Sequence, residues 1–359
     1  MKIIRKYKIA IGLIVGFLLT SCTATQYTKM EDGFILDFEQ NSSKEAKKIR
    51  IQVLGEELIH VSATSELTFP KDSSLIIVPE IPTVPFTIDE VADTIVLTTS
   101  KLKVLVSKEN GGVKFKDTDG NLILAEKAGG GKTFTPIEVA GTSGFTTRQI
   151  FDSPKDEAFY GLGQHQADEF NYKGKSEEFS QYNTKVSVPF IVSNKNYGLL
   201  WDSYSLSRFG DSRPYEQLNA IFKLYDKNGE EGSLTGTYTS SDKDVQTLVR
   251  KEPTIFFEDI KSIKNLPQGF PLKNAEIFYE GDIEANETGV YKFILYYAGY
   301  MKVYMNNELI VPERWRTAWN PNSFKYTLNL EAGKRVPLRI DWKPDGGTSY
   351  CGLRVRKPQ

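Results

Sequence analysis

The chain is poor in the residues that most often carry reactive chemistry. Among its 359 residues there are two cysteines, Cys22 and Cys351, and two histidines, His60 and His165. A zinc centre built from Cys and His ligands is therefore not expected, and no cofactor is expected either. Neither sign of charge is in excess: 45 Lys+Arg stand against 46 Asp+Glu, a formal net charge of -1. Nothing supplies the basic field that nucleic acid requires, and nucleic-acid partners are set aside. The longest apolar run, Ile9 to Leu19, falls short of the roughly 20 residues that span a bilayer as a helix. Long segments of 3.6 periodicity and solenoid repeats are missing as well, which leaves helical bundles and repeat folds without support.

Aromatic residues and alternation are what the chain has instead. Hydrophobic residues make up 40%, with 18 Tyr and 21 Phe, types that favour strands. At ~150 residues per domain the length suggests about two domains. From Met30 to about Lys127 the pattern alternates. Leu102, Val104 and Val106 share one face, while "ENGG" and "DTDG" supply the Gly and Asn/Asp positions of hairpin turns, as in a β-meander. "VPEIPTVPFTI" has too many prolines for a central strand and is read as a crossing or an edge. The triplet Gly129 to Gly131 is read as a loop. Glycine-rich, acidic "YDKNGEEGSLTG" marks a composition shift, and a domain boundary is expected near Gly232.

A second strand series follows. "TGVYKFILYYAGYMKVYMNNELIV" is expected to form a hairpin pair, with Tyr291, Phe293 and Leu295 alternating with Val290, Lys292 and Ile294, and with Asn306 and Asn307 taking a turn. "KRVPLRIDWK" places Val336, Leu338, Ile340 and Trp342 on one face and Arg335, Arg339, Asp341 and Lys343 on the other. The predicted fold class is all-β, with two consecutive β-sandwiches.

At the N-terminus, cationic Lys2, Arg5, Lys6 and Lys8 precede the apolar run and small residues precede a cysteine, the layout of a cleaved signal. "LTSC" resembles the lipobox of bacterial lipoproteins. Residues 1–21 are accordingly read as a signal peptide, Cys22 as the lipidated first residue and 22–29 as an anchor linker, which implies a membrane partner and a cell-envelope location. With Cys22 lipidated, Cys351 has no partner for an intramolecular disulfide.

The stretch "FYGLGQHQADEFNYKGKSEEFSQYNTKVSVPFIVSNKNYGLLWD", Phe159 to Asp202, contains no nucleophile paired with a base. Its "GLG", "N..VPF" and "YGLLWD", in that order, resemble the galactose-mutarotase-like N-terminal β-sandwich of glycoside hydrolase family 31, the α-glucosidases and α-xylosidases, over residues 30–232. That resemblance implies that the loop at "QYNTK" faces a substrate cleft, where Asn183, Thr184 and Lys185 could bond sugar hydroxyls. The competing reading has Asn183 capping a turn and Lys185 merely solvated. Asp202 and Asp211, beside Ser, Tyr and Gly, are read as turn formers rather than catalytic acids.

Residues 233–359 resemble the protective-antigen-type domain, another β-sandwich, through "SLTGTYTSSDKDVQTLVRKEPTIFFED", a central hairpin "ETGVYKFILYYAGYMKVYMNNELIV" and a last strand "YCGLRVRK". Some sugar-binding members carry an Asp-Asp pair that helps hold calcium. Ala298, Gly299 and Tyr300 stand there instead, so no calcium site is expected. Trp315, Arg316 and Trp319 in "ERWRTAWNPNS" offer flat faces and donors to an oligosaccharide or polysaccharide ligand; alternatively, one or both tryptophans cap the core.

Retaining glycosidases need two carboxyl groups about 5 Å apart. The family carries both on a β/α barrel, and the sequence has no alternating strand and helix series to form one. The expectation is a non-catalytic N-terminal portion of a family 31 α-glycosidase whose barrel is missing, of the α-xylosidase type that trims xyloglucan oligosaccharides. The alternative is a free-standing, lipid-anchored carbohydrate-binding protein.

Overall fold

The computed structural model describes residues 27–38, 45–70, 74–77, 83–165, 169–181, 185–257, 267, 269–316, 323–344 and 349–358. The chain packs as two compact units, Met1–Lys155 and Asp156–Gln359.

In the first unit, Tyr27–Met30, Gly33–Asp37, Lys48–Val53 and Ile59–Thr64 pair in sequence order as an antiparallel sheet. Thr87–Val91, Thr94–Thr98, Leu102–Ser107, Val113–Asp117 and Leu122–Ala125 form a five-stranded meander. Alternation explains the sandwich: Phe34, Leu36, Ile49 and Ile51 from one sheet and Ile95, Leu97, Val104 and Val106 from the other share one buried cluster, while their sequence neighbours face outward. The proline-rich segment leads into Thr87–Val91, which is an edge strand as its composition predicts. A hairpin of Lys132–Val139 and Thr142–Gln149 follows, turned by Ala140 and Gly141 at positive φ.

The second unit opens with the three-stranded sheet of Phe159–Gln164, Val186–Ser193 and Tyr197–Leu200, and a short ribbon of Glu177–Glu178 with Arg208–Phe209. A large sandwich follows. One layer runs Leu248–Glu252, Leu234–Ser240, Ala275–Ala285, Arg335–Lys343, Gly299–Met305 and Glu308–Arg316, with Phe222–Asp226 also paired to Ala275–Ala285. The other runs Glu216–Gln217, Cys351–Arg356, Gly289–Tyr297 and Ser323–Leu330, with Phe256–Phe257 joined to Cys351–Arg356. Among the described residues the single helical element is the four-residue turn Leu218–Ile221. The architecture is all-β, and no β/α barrel occurs among these residues.

Between the layers, Tyr291, Phe293, Leu295 and Tyr297 meet Ile277, Tyr279, Leu338, Ile340 and Trp342. Trp342 is wholly buried and donates its indole N–H to Ala298 O at 2.8 Å. Asn306 and Asn307, at φ 51° and 62°, take the expected tight turn between Gly299–Met305 and Glu308–Arg316. The expected pairing of the two preceding strands is corrected: Gly289–Tyr297 lies in one layer and Gly299–Met305 in the other. Gly299 permits the crossing, because its φ is +91° and a Cβ there would sit 2.3 Å from Lys343 O.

Candidate functional site

The "GLG" motif shapes the wall of the first candidate site. Gly161 and Gly163 have φ of +112° and +97°, and a Cβ on either would meet the facing strand, 2.6 Å from Phe190 O and 2.1 Å from Val186 O. The register slips between them, which bulges Leu162 out of the ladder and into a small core with Phe159, Tyr172 and Ile191. His165 follows directly; its Nε2–H donates to Leu162 O at 2.7 Å and its Nδ1 faces Glu177 Oε1 at 3.6 Å.

Glu177 is the centre of this region. Its Oε1 accepts from Lys185 Nζ at 2.8 Å, and Lys325 Nζ, carried by the strand Ser323–Leu330, lies 3.3 Å from Oε2 while donating to Ser176 O at 2.6 Å. Burial by itself would raise the Glu177 carboxyl. Lys325, Lys185 and His165 outweigh it and hold the group below its ordinary value. Lys185 also donates to Glu178 O at 2.9 Å, so two of its three ammonium hydrogens are committed to the protein. The reading of Lys185 as merely solvated is thereby corrected: it is an ion-pair partner at the start of the strand Val186–Ser193. Asn183 and Thr184 lie outside the described residues.

Asp211 is likewise structural. Arg213 donates to both carboxylate oxygens, at 3.0 and 2.7 Å, and Lys292 approaches to 3.3 Å. The Arg213 hydrogen bonds, opposed by burial, hold the Asp211 carboxyl far below the usual range. Arg356 adds a contact over the Tyr215 ring at 3.8 Å and a bond to Ser176 Oγ at 2.9 Å. These charged contacts, with the pairing of Glu216–Gln217 to Cys351–Arg356, dock the segment 156–217 onto the large sandwich. Sequence reasoning missed Glu177: the nearby Lys185 was the one signal available, eight residues on, whereas Lys325 lies 148 positions away.

The second candidate region is the end of the strand Glu308–Arg316, an edge of its layer. Trp315 and Arg316 belong to this strand rather than to a loop, so they point to opposite faces and do not form one contiguous set. Trp319 lies outside the described residues. Trp315 is 49% exposed, which removes it from the core. Directly opposite it in the ladder is Tyr300, 44% exposed and on the same face. No cluster of three or more metal-ligating side chains occurs among the described residues.

Comparison with known proteins divides the chain later than the packing does, between residues 209 and 229. Residues 48–209 match the family model described as the glycosyl hydrolase 31 N-terminal galactose mutarotase-like domain, and residues 229–355 match the PA14 domain. An alpha-xylosidase of Saccharolobus solfataricus is 32% identical over 145 residues, covering 38% of this chain and 19% of that protein. An isomaltosyltransferase of Sporosarcina globispora is 28% identical over 177 residues, covering 46% of this chain and 16% of its own length. Among solved structures, the GH31 alpha-xylosidase of Xanthomonas citri superposes with a TM-score of 0.83 at 35% identity, over 92% of this chain and 36% of that enzyme. The chain thus spans well under half the length of each of these relatives. It carries the N-terminal galactose mutarotase-like domain of glycosyl hydrolase family 31 followed by a PA14 domain, and it resembles the N-terminal region of a family 31 alpha-xylosidase.

Proposed function

We propose that this chain is the non-catalytic N-terminal portion of a family 31 α-xylosidase acting on xyloglucan oligosaccharides, where it forms part of the cleft wall and holds carbohydrate. The observation that carries this reading is an uncovered apolar sheet face. Val186, Val188, Phe190 and Val192 alternate outward along one strand, each 38–44% exposed, and Leu200 at 46% stands directly across from Phe190. A β-face of this kind is the inner side of a sandwich and calls for a covering layer from further chain. The acids buried among the described residues are occupied in ways that fit a supporting role: Glu126 pairs with Lys132, Glu157 accepts from Ser193 and Tyr197, Glu177 from Lys185, Asp226 from the backbone N–H groups of Asn228 and Glu230, and Glu252 from Arg250 and Tyr238. Among the described residues none is left as a nucleophile facing a second carboxyl.

The proposed sugar contacts are Asn183, Thr184 and Lys185 in one region and Trp315 and Trp319 in another, with Arg316 set apart from them on the opposite face of its strand. The address we propose is the cell envelope, through lipid on Cys22. Stable attachment then requires more than one acyl chain. The test has two arms. The purified chain should release no product from p-nitrophenyl α-xyloside or xyloglucan oligosaccharides, whereas a chimera that places it ahead of the catalytic barrel of the Xanthomonas citri enzyme should. Turnover by the chain alone, abolished by Glu177→Gln or Asp211→Asn, would refute the non-catalytic assignment.

A further inference from the structure

The outward face of the large sandwich's wider layer carries a pattern that the strand sequences alone do not display. Along Gly299–Met305 the residues Met301, Val303 and Met305 enter the core, so Tyr300, Lys302 and Tyr304 face outward. The neighbouring strand places Lys343 beside Tyr300, Asp341 beside Lys302 and Arg339 beside Tyr304. On the other side, at the sheet edge, Trp315 lies across from Tyr300 and Leu309 across from Tyr304. Arg339 is seated over the Tyr304 ring at 5.8 Å and over Phe278 at 5.5 Å, which covers that end of the face. Tyr300 and Trp315 remain, half-exposed and carried by ladder-paired residues at the edge.

The charges around these rings are paired locally. Lys343 pairs with Glu276 at 2.8 Å, Lys302 with Glu313 at 3.4 Å, and Arg339 with Asp341 at 2.7 Å and with Glu280 at 3.8 Å. With three cations set among four carboxylates, the face carries an excess of only one negative charge and offers no strong field to a polyanion or a polycation. It still offers many hydrogen-bond donors and acceptors around a flat apolar centre, the combination that suits a ligand with apolar ring faces and neutral hydroxyl edges.

From this arrangement we infer that Tyr300 and Trp315 form a stacking platform for an uncharged oligosaccharide laid across the sheet edge, with the Lys343–Glu276 and Lys302–Glu313 pairs bonding its hydroxyls. The inference rests on the carbohydrate-binding reading proposed above and moves its centre: Tyr300, not Arg316, is the partner of Trp315. The site is open and shallow, so it takes an extended chain by its side rather than enclosing a single sugar.

Titration calorimetry of the full chain with neutral xylogluco-oligosaccharides and cello-oligosaccharides tests this, with polygalacturonate as the anionic comparison. Tyr300→Ala and Trp315→Ala should each weaken binding about tenfold, the loss expected of a central aromatic contact, with melting temperature essentially unchanged because both rings lie at the surface. Trp315→Phe should keep most of the affinity and Trp315→Leu should not, since only a ring stacks. Wild-type affinity in both alanine variants would overturn the platform while leaving carbohydrate binding elsewhere on the chain intact. Absence of binding to either neutral series, or equal affinity for polygalacturonate, would also overturn it. The hydrolysis test of the chimera is independent of all three outcomes.

Discussion

Replacing Glu177 by Gln removes one negative charge from the midst of Lys185, Lys325 and His165 while keeping the side chain's size. The Glu177 side chain is 8% exposed and that of Lys325 13%, so the lysines lose their counter-ion where water reaches them poorly. Breaking a buried pair from one side costs about 3–5 kcal/mol. The lower end applies, because Lys185 is 25% exposed and can turn toward solvent. A loss of about 3 kcal/mol corresponds to a fall in melting temperature of roughly 6–12 °C for a unit of this size. All four tryptophans, Trp201, Trp315, Trp319 and Trp342, fall in the second unit, so indole fluorescence during thermal or urea unfolding reports on that unit alone. Removing Glu177 and Lys325 together should cost less than the sum of the single changes, since the more buried of the two lysines is then no longer left without a counter-ion. The acid limb gives a second check. The Glu177 carboxyl is held below its ordinary value near 4.5, so its contribution is fully present above that pH and is lost as pH falls through the lower, folded value. Glu177→Gln should flatten this acid dependence. A shift of less than about 0.5 kcal/mol, with the acid limb unchanged, would mean that Glu177 does not hold the segment to the sandwich.

Gly163→Ala should destabilise the second unit by about 2–4 kcal/mol by the same fluorescence measurement, because a Cβ would lie 2.1 Å from Val186 O at a φ that L residues avoid. Asn307→Gly, at φ 62° in a two-residue hairpin turn, should be neutral or stabilise by up to about 1 kcal/mol, read from the urea midpoint. The Cys351 thiol is fully buried and burial pushes its ionisation upward, so in a Cys22→Ala background it should resist Ellman's reagent at pH 8 until denaturant opens the sandwich. Cys22→Ala should release the protein from membrane fractions; unchanged retention would remove the lipid from the account.

Residue pattern alone was enough to say which side of a strand faces the core. The alternation of Val336, Leu338, Ile340 and Trp342 with charged neighbours states which side of that strand is inside, and burial follows it along Arg335–Lys343. Asn306–Asn307 and the glycine-bearing turns state where strands reverse, because only certain residues accept positive φ without strain. Which layer a strand joins is a different kind of fact. Gly289–Tyr297 and Gly299–Met305 read as one hairpin, since a period of two distinguishes inside from outside but not one sheet from its partner; the sharp bend at Gly299 sends them apart. The same holds for the candidate sites. The family resemblance pointed to Lys185 and side-chain chemistry to Trp315, yet what each can do depends on residues brought from elsewhere. Lys325 reaches Glu177 across 148 positions of chain, and Tyr300 meets Trp315 only through ladder register. Local physics sets backbone conformation and polarity along the chain, whereas charge pairing and ring juxtaposition at this range arise from the register and stacking of whole sheets.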